Sequence, residues 1–347
     1  PAHFVLVILK MVQYSVKYGV SKYSSHAFVS YGMIMVNMVK DFHESDKFGQ
    51  LAIIFLKRFQ ASDMESHVIF LCCQFVSHWS EPLHLLQKRS FDAYEIGMRT
   101  GDINYALLSL RTSIQFSQLV GKPLPLIDAE IKSSIEIMKD LKHERVVNFL
   151  LPIWQFNLNL MEKPPDPKVL TGSVMKQDDL LKSTAESGDH AVKYVVKIYQ
   201  IWASFYFGEF EHVGALMGEL TQANSILRST PTLWRSALYE GLTAFALARK
   251  NNSSKWKKHA LMVKSKVQKW VKKGNVNCNH ILLIFEAEIS VLEGNTGAAK
   301  QKYETAISAT ARYGLTHDRA LAHERAGEFM LEKGDRYFAF HHLKLAH

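Results

Sequence analysis

The chain has 347 residues, 47% of them hydrophobic and 22% charged, which excludes a disordered polypeptide. Only 18 Gly and 9 Pro interrupt it, so long helices are favoured over a many-turned β architecture. The formal net charge is +9, but ten basic residues and no acidic one fall between Arg249 and Lys273, and subtracting those ten leaves −1 for the rest. The basic character therefore belongs to one segment. The odd set Cys72, Cys73 and Cys278 argues against a disulfide framework and for a reducing, cytoplasmic setting.

In chain order, the first apolar runs, Phe4–Leu9 and Val68–Cys73, are too short to cross a bilayer. The pattern is already helical at the first residues, which suggests a piece of something longer. Ser90–Thr100 carries Phe91, Tyr94, Ile96 and Met98, and Gly101-Asp102 reads as a helix stop and restart. The next helix presents Tyr105, Ala106, Leu108, Leu110 and Ile114. Pro82, Pro123 and Pro231 mark helix starts. Glu162–Val174 holds Pro164, Pro165, Pro167 and Gly172 and cannot be helical throughout. It reads as a surface loop, 162–175, joining an N-terminal array (1–161) to a C-terminal array (176–347) continuous with it. Tyr194–Ile201 is Val-rich but lacks flanking turn signals and reads as helix. Gly208, Val213 and Met217 suggest a degenerate hairpin, and the Gly214/Gly218 pair suggests close helix packing. The total comes to roughly sixteen to eighteen helices and no strand.

Two C-terminal segments repeat forty residues apart. Gly294, Ala299, Tyr303 and Ala306 recur as Gly334, Ala339, Leu343 and Ala346, and Ala287 ahead of the first matches Gly327 ahead of the second. Small residues at these places let antiparallel helices approach closely, and a fixed period of this kind marks stacked helical hairpins. The fold class is all-α, a tetratricopeptide-like superhelical solenoid.

Within the basic segment, Trp256, Ala260, Val263, Val267 and Trp270 form one apolar stripe, and lysines cover the remaining circumference. Lys257, Lys258, Lys264, Lys266, Lys269, Lys272 and Lys273 are candidate anion-binding residues. The simpler reading is the solvated outer helix of a repeat, because one basic face is weaker evidence than a patch built from several elements. No aromatics interleave with the exposed lysines, which disfavours single-stranded nucleic acid. Asn251-Asn252-Ser253-Ser254 reads as a capping turn. His67 and Cys72 lie five apart and Cys72 and His78 six apart, so neither pair shares a helical face; buried thiols are expected, not a metal site. The chain has no P-loop, Gly-x-Gly-x-x-Gly, His-Glu-x-x-His or Gly-x-Ser-x-Gly pattern. No catalytic, cofactor or metal residue is assigned, and an enzyme activity of this segment is not expected.

Several phrases in order carry a resemblance. They are Tyr18-Gly19, Ala27-Phe28, Ser30-Tyr31-Gly32, Phe48-Gly49-Gln50-Leu51-Ala52, His78-Trp79 with Glu81-Pro82-Leu83, Thr100-Gly101-Asp102 and Leu170-Thr171-Gly172. Trp270, Asn277, His280 and Glu286-Ala287-Glu288 then lead into Tyr303, Ala306 and Ala320-Leu321-Ala322. This order resembles the long helical region of large multidomain signalling proteins. In that family a protein-kinase-like domain and a predicted P-loop ATPase precede the region, and a GAF sensor and a histidine-kinase or cyclase-type output follow it. The resemblance implies an interaction and regulatory arm whose partners are a protein, a peptide or the flanking domains of the same chain, with catalysis elsewhere. The alternative is an anionic-ligand binder, for nucleic acid or a phospholipid headgroup, acting through 249–273.

Overall fold

Side-chain caps open several of the helices that the apolar spacing predicts. Asp41 accepts from the Glu44 N–H, Asp189 from Val192, Ser253 from Trp256, Asn295 from Ala298 and Asp335 from Phe338. Each satisfies a donor that the first helical turn leaves unpaired. A computed structural model describes residues 2–162 and 164–347. The first eight helices are α1 (Ala2–Tyr18), α2 (Ser24–Ile34), α3 (Phe42–Arg58), α4 (Ser62–Leu71), α5 (Leu83–Thr100), α6 (Ile103–Val120), α7 (Leu124–Asp140) and α8 (Glu144–Glu162). Then come α9 (Gln177–Ser187), α10 (His190–Tyr206), α11 (Phe210–Ala215), α12 (Met217–Ile226) and α13 (Pro231–Lys250). Last are α14 (Ser254–Lys272), α15 (Asn279–Leu292), α16 (Thr296–Arg312), α17 (Thr316–Glu332) and α18 (Arg336–Ala346). No strand occurs among the described residues.

Sequence neighbours pack on one another: α2 on α3, α5 on α6, α7 on α8, α13 on α14, α15 on α16 and α17 on α18. Short connections leave such neighbours antiparallel. Tyr194–Ile201 lies inside α10, as its lack of turn signals implies. The hairpin expected after Gly208 is broken into the short α11 and α12, and Val213 is its buried contact. Gly214 faces Trp256 of α14, whereas Gly218 meets nothing close.

The stretch after α8 is irregular, and several of its backbone groups are paired with buried side chains. Asn159 Nδ2 donates to the carbonyls of Pro167 and Val169, both at 2.9 Å, and Gln177 Oε1 accepts from the Leu170 N–H at 3.1 Å. Leu170 is fully buried. One apolar core includes Phe156 before this stretch, Leu170 and Met175 within it and Tyr199 after it. A smaller core, centred on Phe28, Ala52 and Phe70, serves the first four helices.

Two helices end in a widened turn, at Met35–Val39 and Cys72–Val76. In the first, the Lys40 N–H reaches back five residues to the Met35 carbonyl at 2.8 Å, and Lys40 itself adopts a left-handed backbone. Such insertions re-aim the residues that follow and recur at functional sites. The apolar spacing of the sequence gives no sign of either.

In an open stack each hairpin touches only its sequence neighbours. Here helices distant in sequence also meet, with α6 against α17. Asn277 clasps the Ser77–Glu81 region: its Nδ2 donates to the His78 and Glu81 carbonyls at 2.9 and 2.8 Å, and its Oδ1 accepts from the Leu83 N–H at 3.3 Å. His78 accepts from the Trp234 indole through Nδ1 and meets the Ser229 carbonyl through Nε2 at 2.7 Å. Trp79 stacks on Phe42 at 4.2 Å between ring centres and meets Trp270 edge-on at 5.8 Å. His78, Trp79, Glu81, Leu83, Trp270 and Asn277, all quoted for the resemblance, therefore hold one internal junction.

Candidate functional site

The residues of the repeated signature act in two ways. Ala287, Ala299, Tyr303 and Ala306 are fully buried between α15 and α16 and around them. Tyr303 donates to Glu288 at 2.8 Å. Gly327 is a close-approach site: a Cβ there would lie 2.8 Å from Leu343 and 3.3 Å from the Ala339 carbonyl. Leu343 fills that gap while remaining 36% exposed; Ala339 is buried and Ala346 half-buried. Gly294 and Gly334 differ from the expectation of close packing. Both are left-handed, with φ of 73° and 77°, and nothing lies within 4 Å of a Cβ built on them. They end α15 and α17 by conformation, the usual role of glycine after a helix.

The basic segment is not a uniform stripe. Acids from other helices neutralise part of it: Arg249 meets Glu288 at 3.3 Å, Lys250 meets Glu211 at 2.6 Å and Lys264 lies 3.9 Å from Glu286. Glu288 is fully buried, which alone would raise its pKa, yet Arg325 and Arg249 hold it below the usual carboxylate range. The apolar stripe docks α14, with Ala260, Val263, Val267 and Trp270 buried and Trp256 half-buried.

The seven candidate lysines divide. Lys266, Lys269 and Lys273 line a groove of about 740 Å³; Lys257, Lys258, Lys264 and Lys272 do not. Lys40 and Arg228 line the same groove from elements far away in sequence. Lys40 arrives from the widened end of α2, and Lys273 Nζ donates to its carbonyl at 2.7 Å. Arg228 comes from the turn before α13, where His78 grips the next carbonyl, that of Ser229. Trp79 and Trp270 belong to the floor, and Lys266 Nζ sits 5.1 Å from the Trp270 ring centre. Burial lowers the Lys266 pKa, with Glu240 opposing this and Lys40 adding to it. No acidic side chain lines the groove among the described residues. Lys40 and Arg228 carry no local sequence signal, since each is an isolated cation among residues of ordinary composition.

The thiols of Cys72, Cys73 and Cys278 are free and buried. Burial pushes Cys73 up to about 12 and raises the other two, which leaves none of them nucleophilic at neutral pH. His67 stacks on Tyr105 at 3.6 Å between ring centres. No helix among the described residues is long and apolar enough to cross a membrane.

A scan against models of known protein families gives no match. A search of curated proteins finds no relative of the chain.

Proposed function

We propose that the chain is a non-catalytic, tetratricopeptide-like superhelix that serves as an interaction arm, and that its basic groove holds an acidic polypeptide segment. The observation that carries this is the convergence of Lys40, Arg228, Lys266, Lys269 and Lys273, from three separate parts of the chain, above two tryptophans. A basic patch assembled from several elements is stronger evidence for an anionic partner than one helix face. Its walls also include Val36, Phe42, Leu233 and Met262, which suit the side chains of a polypeptide better than a phosphate alone. The segment would belong to a protein partner or to a flanking domain. In the context the resemblance implies, a signalling ATPase or kinase, this contact would bias the enzyme only by binding its resting and active states unequally.

Fluorescence anisotropy with an acidic decapeptide containing two aromatic residues tests the reading. Binding is expected at low salt, with a steep loss at moderate salt and in the variant Lys266→Gln/Lys269→Gln/Lys273→Gln. No binding at low salt, or binding indifferent to that variant, rejects it. A second reading, a nucleic acid or phospholipid headgroup along the outside of α14, rests on the exposed Lys257, Lys258 and Lys272. It predicts tighter capture of an oligonucleotide or of anionic vesicles than of the peptide, lost in Lys257→Gln/Lys258→Gln/Lys272→Gln. For the arm itself, deleting the whole helical array from a parent ATPase with no change in its regulation or partner capture would refute the assignment.

A further inference from the structure

A second cavity, of about 300 Å³, lies between the widened turn Cys72–Val76, α6, α8, α10 and the start of α13. Its wall is mainly apolar, with Phe70, Phe75, Leu108, Phe149 and Val195 among its residues. Set into this wall is Arg111, only 7% exposed. Its Nε has no hydrogen-bond partner, and among the described residues no carboxylate pairs with it. The guanidinium lies 5.3 Å from the Phe149 ring centre. Gln115, one turn along α6, lines the same cavity and is fully buried, and neither amide atom has a partner of normal hydrogen-bond geometry. The neighbouring Tyr199 hydroxyl donates to Gln118 at 2.8 Å. Thr230 and Thr232 bring the N-terminal end of α13 to the same wall.

The chain's other buried arginines show what is missing. Arg235 is paired with Asp318, and Arg325 with Glu288 at 2.9 Å. A buried guanidinium without a carboxylate is costly, and a buried amide without a well-aligned hydrogen bond adds to that cost. Burial brings Arg111 down to about 10, so it stays cationic at neutral pH. A helix N-terminus adds partial positive charge on the same side. At the mouth, Arg145 exposes 69% of its side chain and is neutralised by Asp189 at 2.6 Å, while Arg228 is exposed. An anion entering here meets Arg228 at the mouth, Arg111 inside and, among the described residues, no acid in the lining.

We infer that this cavity binds a small organic carboxylate with an apolar body, its carboxylate held by Arg111 and Gln115 and its body seated against Phe75, Leu108 and Phe149. A guanidinium recognises a carboxylate with two parallel N–H bonds. The volume sits at the low end for small-molecule sites, which suits a ligand of one ring or a short chain and excludes a folded polypeptide segment. The inference rests on Arg111 and Gln115, neither of which lines the basic groove; among the described residues, Arg228 is the one cation that borders both.

Isothermal titration of the whole chain with 3-phenylpropanoate and octanoate, against 3-phenylpropanamide, tests it. The carboxylates are expected to bind at least about tenfold more tightly than the amide. Arg111→Met keeps the bulk and removes the unpaired charge. It should keep or raise the thermal midpoint while weakening carboxylate binding at least about tenfold. Ala191→Phe, which fills the cavity from α10, should remove binding too. Lys266→Gln/Lys269→Gln/Lys273→Gln, which alters only the groove, should leave it unchanged. Equal binding of acid and amide, no heat from either acid, or binding that survives Ala191→Phe would overturn the assignment. So would binding lost in the groove variant, and if Arg111→Met does not fold, Ala191→Phe decides alone.

Discussion

Arg235 of α13 and Asp318 of α17 form an ion pair from which water is excluded, their side chains 1% and 0% exposed. The same guanidinium donates to the Leu119 carbonyl of α6 at 2.8 Å, and His280 of α15 lies 2.8 Å from the other Asp318 oxygen. Four helices, α6, α13, α15 and α17, thus meet at one buried ion pair. Burial alone would raise Asp318, but Arg235 and then His280 hold it well below the usual carboxylate range. Removing one partner leaves a buried charge uncompensated. Asp318→Asn or Arg235→Met should each destabilise the chain by about 3–5 kcal/mol in urea unfolding. The double variant Arg235→Met/Asp318→Leu should recover most of that loss, so two additive single effects would show that the pair is not coupled.

Gly121, at the end of α6, has a φ of 87°, and a Cβ there would lie 2.4 Å from the His317 backbone nitrogen. Gly101 has nearly the same φ, 82°, and open space. Gly101→Ala should cost about 1 kcal/mol from the left-handed backbone alone. Gly121→Ala adds a clash that pries α6 from α17, for about 3 kcal/mol in total. Equal losses in thermal or urea unfolding would show that the α6–α17 contact is loose.

Burial lowers His78 to about 4 from an ordinary value of 6.5. Between those two pH values the unfolded chain binds a proton that the folded chain refuses. The associated stability is therefore complete above about pH 6.5 and is lost as pH falls towards 4. Its limit is about 3 kcal/mol for this residue. The urea midpoint should fall over that range, and His78→Gln should flatten the slope by about one proton. His317 shifts in the same direction, also to about 4, so part of the slope remains.

The groove predicts which cations matter. Lys40→Gln/Arg228→Gln should weaken capture of the acidic peptide about as much as Lys266→Gln/Lys269→Gln, by about thirtyfold or less because each of the two exposed pairs removed contributes at most about 1 kcal/mol. Lys257→Gln/Lys272→Gln should change little. An anisotropy titration in which the three variants rank by position on α14 alone would show that the helix face, not the groove, is what binds.

Much of the fold was legible because helix formation is a local matter. The stripe Trp256 to Trp270 settled how α14 docks, and Ala299, Tyr303 and Ala306 marked a buried seam. The left-handed turns at Gly294 and Gly334 were visible as glycines, but not as conformational rather than packing requirements, since spacing alone does not report φ. The widened turns at Met35–Val39 and Cys72–Val76 leave no periodic trace, because one extra residue in a turn is within the tolerance of any apolar pattern. For Arg111 a faint signal existed: it is the only charged residue of α6, set among Leu108, Leu110 and Ile114.

By itself the sequence determined that this chain is helical and hairpin-rich, and that most of its excess positive charge sits on one helix. Those properties follow from interactions within a turn or between adjacent helices. Only the tertiary structure decided that Lys40, Arg228 and Lys273 share one groove, that Asn277 clasps His78 and Glu81, and that Arg111 is left without a carboxylate. Each of these depends on how helices far apart in sequence pack against one another, which no single stretch of residues encodes.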